Sequence, residues 1–140
     1  MSSFRSTLLL ILLGIATFTA GANATPGDSL QKCVDYEPET VSLLGSVSRR
    51  TFLNANDKKE VVWVLKLREP ICVNADERSD LNVKRSRVSD VQLVLEPEMF
   101  GKYRRLLGKK VRATGTLFGE HTAHHFTPVL LDVTEVRALP

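Results

Sequence analysis

The sequence predicts a small all-β domain with one helix, its elements running β-β-β-α-β-β. Two observations carry this prediction. Apolar and polar residues alternate with a period of two in five separate segments, the pattern of half-buried strands. Between the third and fourth of these lies one segment with apolar residues at helical spacing.

The first strand is set by Val41, Leu43, Gly45 and Val47, which alternate with Ser42, Ser46 and Ser48. Residues 54–59 are polar and turn-rich, so they form a loop. Val61 to Val73 is β-branched and apolar. Trp63, Leu65 and Leu67 share one face of it, and Lys66 and Arg68 the other. Pro70 marks an edge or a bulge, because proline has no N–H to give a ladder. Residues 74–87 are polar and charged, and are expected to form a long loop. The third strand, Val88 to Leu95, turns Val91, Leu93 and Leu95 to one side and Asp90 and Gln92 to the other.

Pro97 suits the first turn of a helix. Met99, Tyr103, Leu106 and Leu107 then recur at helical spacing until Gly108 stops the segment. Val111, Ala113, Gly115 and Leu117 mark a fourth strand. After a turn near Gly119, Val129, Leu131 and Val133 mark a fifth. The expected core is Val41, Leu43, Trp63, Leu65, Leu67, Val91, Leu93, Leu95, Val111, Leu117, Val129, Leu131 and Val133.

Five short strands with a helix between the third and fourth is the element order of an OB-fold, a small Greek-key barrel. Gly45 and Gly115 fit it, since bent barrel strands need a residue without a side chain at tight places. An SH3-like barrel or an open sheet is the competing reading.

Residues 1–24 read as a signal peptide. Arg5 is followed by a nearly unbroken apolar run from Leu8 to Ala20, and Ala22-Asn23-Ala24 offers small residues for cleavage. The run is shorter than a spanning helix needs, roughly 20 residues, and Thr25-Pro26-Gly27 follows it. Residues 25–140 are then one domain, periplasmic or secreted, with no transmembrane segment after cleavage. The two cysteines, Cys33 and Cys72, are expected to be bridged in an oxidising compartment. Net charge is +3, too small to imply a nucleic-acid partner.

Several motifs resemble one family. They are Cys33-Val34-Asp35-Tyr36-Glu37-Pro38-Glu39-Thr40-Val41 with Leu43 and Gly45, Pro70-Ile71-Cys72-Val73, and Gly108-Lys109-Lys110-Val111. Gly115-Thr116-Leu117-Phe118, His121-Thr122-Ala123-His124-His125 and Thr127-Pro128-Val129-Leu130-Leu131 complete the set. Together they resemble the small secreted bacterial domain-of-unknown-function family 4431. That resemblance implies export and small size, and no activity. Residues 54–60 are short for the family.

The concentrated chemical signal is His121, His124 and His125, all the histidines of the chain. They fall in the turn between the last two strands, at the rim of the face an OB-fold uses for ligands. Imidazoles so grouped are candidate ligands for Zn²⁺ or Cu²⁺, with Glu120 or Asp132 as possible oxygen donors. The competing reading is turn structure, with Thr122 and Thr127 bonding the rings. Asp35, Glu37 and Glu39 form an acidic segment best read as solvated. Small basic groups suggest a groove for anions, but single-strand binders also need exposed stacking aromatics, for which Phe118 and Phe126 are the main candidates.

No catalytic constellation is present: there is no Gly-x-Ser-x-Gly turn, and a bridged Cys72 is no nucleophile. The leading expectation is an exported, non-catalytic OB-like binding module of unknown ligand, with nucleic acid not expected. The alternatives are a protein-interaction or inhibitor domain acting on an envelope or secreted partner, and a small metal-dependent hydrolase.

Overall fold

The computed structural model describes residues 33–140; the expected signal peptide, residues 1–24, lies outside them. The elements are β1 (Thr40–Leu53), β2 (Lys59–Val73), β3 (Arg85–Val94), α1 (Pro97–Tyr103), β4 (Lys110–Gly119) and β5 (Val129–Ala138). A 3-10 turn, Arg104–Leu106, continues α1. The domain is thus mostly β, with one short helix between the third and fourth strands. The five strands form one sheet that closes into a ring.

Order around the ring is not order along the chain. It runs β1-β2-β3-β5-β4, because β3 pairs with β5 in parallel, from Gln92↔Leu130 to Val94↔Asp132. The helical segment between β3 and β4 lets the chain leave β3 and return on the far side of β5. All other pairings are antiparallel.

Closure requires β1 to serve two neighbours. Its first half pairs with β4, from Thr40↔Thr116 to Ser46↔Lys110. Its second half pairs with β2, from Gly45↔Leu67 to Leu53↔Lys59. The strand bends where the two runs overlap, at Gly45 and Ser46. A Cβ on Gly45 would collide with the Lys66 carbonyl, so the backbones approach there as closely as only glycine permits. Gly115 has the same role on β4. Its Cβ would strike the Asp132 carbonyl, where the β4–β5 register shifts by one. The β2–β3 register also shifts between Lys66 and Ile71, the stretch that contains Pro70.

The core holds twelve expected residues, from Leu43 and Trp63 through Val133. Val41 is only half-buried and packs against it. Tyr36, Val47, Val73, Val88, Tyr103, Leu106 and Val136 add to it. Two residues of the opposite phase, Val64 and Leu130, are fully buried as well. Alternation alone assigns them to solvent; they flank Gln92, to which the turn described below is bonded. Cys33 and Cys72 form the expected disulfide. It ties the N-terminal segment to the end of β2, where Val34 also bridges to Val73. Among the described residues no helix is long and apolar enough to cross a membrane.

Candidate functional site

The histidine turn, residues 120–128, folds back over the outer face of β3 and β5, and Gln92 holds it there. Gln92 pairs with Val64 on one side and Leu130 on the other. Its side chain donates from Nε2 to the His124 carbonyl at 3.0 Å and accepts the Phe126 N–H on Oε1 at 2.8 Å. Its backbone N–H donates to Thr127 Oγ1 at 2.9 Å, and that hydroxyl donates to the Val129 carbonyl at 2.7 Å. One buried amide thereby satisfies both edges of the turn, as a buried polar group must.

The turn also meets the end of the β1–β2 hairpin. His124 Nδ1 lies 2.9 and 2.8 Å from the two carboxylate oxygens of Glu60. Asn54 Nδ2 donates to the same carboxylate at 2.6 Å, while Asn54 Oδ1 accepts the N–H groups of Asn56 and Lys58 and so closes the hairpin. The bond from His124, then that from Asn54, holds the Glu60 carboxyl below the usual carboxylate range. Phe126 stacks on Phe52 of β1, ring centroids 4.8 Å apart and planes 6° apart.

The three histidines do not converge on one point. His121 and His125 form a T-shaped pair with centroids 4.6 Å apart, and both rings rest on Phe118. His124 turns away to Glu60. The partners fix the tautomers. His121 Nδ1 faces the Gly119 carbonyl at 3.0 Å and so carries a proton. His125 Nδ1 accepts the His121 N–H at 3.0 Å, which occupies its lone pair. His124 Nδ1 faces a carboxylate and carries a proton. Lone pairs remain on Nε2 of His121 and His124 alone. Burial, then the nearby His121 and His124, push the His125 pKa down.

Among the described residues no group of three or more His, Cys, Asp or Glu side chains is placed to hold a metal ion. Glu120 faces Arg85 at 3.5 Å, and exposed Asp132 lies on β5 beyond the turn. Neither threonine bonds a ring: Thr122 Oγ1 takes the His124 N–H, and Thr127 serves Gln92. Phe118 and Phe126, the expected free aromatics, are spent on His121, His125 and Phe52. In the acidic segment Asp35 accepts from Asn74 at 2.7 Å, and Glu37 and Glu39 are exposed.

Beside the turn lies an open groove of about 250 Å³, bounded by Val61, Val62, Trp63, residues 92–95, Phe100, His124 and His125. Phe100 of α1 meets Trp63 edge to face at 5.7 Å and remains 43% exposed. Sequence reasoning missed Glu60, Gln92, Phe52 and Phe100 as parts of this site. Gln92 gave one signal: an amide, which can serve a donor and an acceptor at once, placed among apolar residues.

Residues 90–137 match the model of a domain of unknown function, DUF4431, the family that the sequence motifs resemble. The matched segment contains Gln92, Phe100 and all three histidines. The Cys33 to Gly45 and Pro70 to Val73 motifs lie outside it. No curated protein and no solved structure matches the chain.

Proposed function

We propose that this is an exported, non-catalytic OB-like binding module whose ligand seat is the groove between β2, β3, α1 and the histidine turn. One observation carries the reading: the β1–β2 and β4–β5 connections meet beside the β2–β3 face, through Glu60–His124 and Phe52–Phe126. OB-folds bind oligonucleotides and oligosaccharides on that face, with those two loops as walls. The groove offers an aromatic edge from Phe100, an apolar floor and imidazoles, the mixture typical of a small-ligand seat. Export is supported by the residue 1–24 pattern and by the disulfide.

Trp63 is the sole tryptophan and lines this groove, so its fluorescence tests the reading. Screened compounds that fit should change it saturably, and Phe100→Ala and His124→Ala should abolish the response while the protein stays folded. Saturable binding that survives both substitutions would place the seat elsewhere.

A protein-interaction role is favoured by a separate observation. Leu53, at the loop end of the β1–β2 hairpin and outside the groove lining, is 60% exposed. Large apolar side chains so displayed suit a protein partner. Leu53→Asp should then weaken capture of an envelope partner and leave the Trp63 response intact.

A further inference from the structure

The bend in β1 creates a second groove, on which the proposed ligand seat does not depend. Ser46 pairs with Lys66 on β2 and with Lys110 on β4. Directly opposed residues on neighbouring strands have Cβ atoms about 5 Å apart, so two ammonium stems flank one hydroxyl across three strands. All three residues line a groove of about 260 Å³, with Arg68 adding a third cation and Leu44 and Leu139 apolar surface.

Lys66 and Lys110 stand on the strands either side of β1, so their like charges repel across it, and the sheet does not neutralise them. The carboxylate opposite Lys66 is Asp90, and it bonds Arg50 at 2.9 Å instead. Arg68 reaches Glu69 only at 4.0 Å, with both side chains well exposed, an arrangement worth little. Among the described residues neither Lys66 nor Lys110 has an ion-pair partner. Lysine binds phosphate as a mobile point charge, and the leucines beside the cations favour an apolar group joined to that phosphate.

The geometry points to an anion site at the β1 bend that takes a phosphate group carried on an apolar body, with Lys66, Lys110 and Arg68 as its cations and the Ser46 hydroxyl as a hydrogen-bond donor. A phospholipid headgroup presents such a phosphate, and inorganic phosphate lacks the apolar body.

The test is titration of untagged protein, followed by amide NMR shifts. The probes are inorganic phosphate, and dihexanoyl phosphatidic acid and dihexanoyl phosphatidylcholine below their micelle concentrations. Phosphatidic acid should bind saturably, at least tenfold more tightly than phosphatidylcholine, with the largest shifts at Ser46, Lys66 and Lys110. High salt should weaken it. Lys66→Gln with Lys110→Gln should reduce affinity at least tenfold, whereas Lys84→Gln, outside the groove, should not. The ligand-free double variant should melt no lower than the parent, because a repulsion has been removed. Inorganic phosphate binding as tightly as phosphatidic acid overturns the role of the apolar body; phosphatidic acid binding far more tightly than inorganic phosphate supports the lipid. No saturable binding of either phosphate probe, or binding unmoved in the double variant, overturns the site.

Discussion

His124 and Glu60 are 64 positions apart in sequence and 2.8 Å apart in space. Their bond fastens the β4–β5 turn to the end of the β1–β2 hairpin, so the wall of the groove is held from both connections. Glu60→Gln removes the carboxylate that favours the bond. Amides of residues 121–126 should then exchange with solvent faster, while core amides keep their protection. Hydrogen exchange read by NMR or mass spectrometry checks this, and unchanged turn exchange would count against the fastening.

Acid should loosen the same turn in two stages. Burial first, then His121 and His124, lower the His125 pKa. A base whose folded pKa lies below its unfolded value opposes folding only where the unfolded chain takes up the proton. The loss therefore begins as pH falls through about 6.5 and grows until the folded state also protonates. Protonation ends the acceptance of the His121 N–H by His125. The depressed Glu60 pKa acts lower, its contribution being present above about pH 4.3 and lost as pH falls through the folded value. Turn-amide protection, taken relative to the intrinsic exchange rate at each pH, should begin to fall below about pH 6.5. His125→Ala should remove that first stage only.

Gln92→Ala should cost about 1–3 kcal/mol by leaving the Phe126 N–H without its buried acceptor. The accompanying change should be exposure of the outer face beneath the turn. Chemical denaturation gives the first quantity, and exchange at residues 121–128 gives the second.

Leu65→Ala and Leu130→Ala should each cost roughly 2–5 kcal/mol, since both side chains are fully buried. Lys66→Ala should stay within about 0.5 kcal/mol. A small cost at Leu130 would mean that the turn does not cover β5 in solution.

Cleaving the Cys33–Cys72 bridge should cost on the order of 4 kcal/mol, because it closes a loop of 39 positions. Intact mass with and without reductant, then paired denaturation curves of the oxidised and reduced protein, check the bond and its worth.

Zinc titration of untagged protein should give no saturable binding at micromolar concentrations. The His125 lone pair is already taken, and the two left on His121 and His124 belong to rings that face different partners. A saturable, pH-dependent isotherm lost in a His121→Ala, His124→Ala double variant would reverse this.

What the sequence determined by itself follows from local chemistry. Period-two alternation marked five strands, Pro97 and Gly108 bracketed the helical segment, and Gly45 and Gly115 marked the bend and the register shift. The paired cysteines announced their bond. Each rests on a residue's own backbone or side-chain preference, visible without its neighbours. What only the tertiary structure decided is which distant residues face one another. Alternation gives the face of Val64, Gln92 and Leu130 but not what covers it. Ring closure brings β5 beside β3 and sets Gln92 between Val64 and Leu130, and the turn from β4 is bonded to Gln92 there. The three histidines stand within five positions, which suggested a common ligand. Their partners came from Gln92, Glu60 and Phe118 instead, because a folded turn distributes its side chains by the surfaces it meets, not by their spacing along the chain.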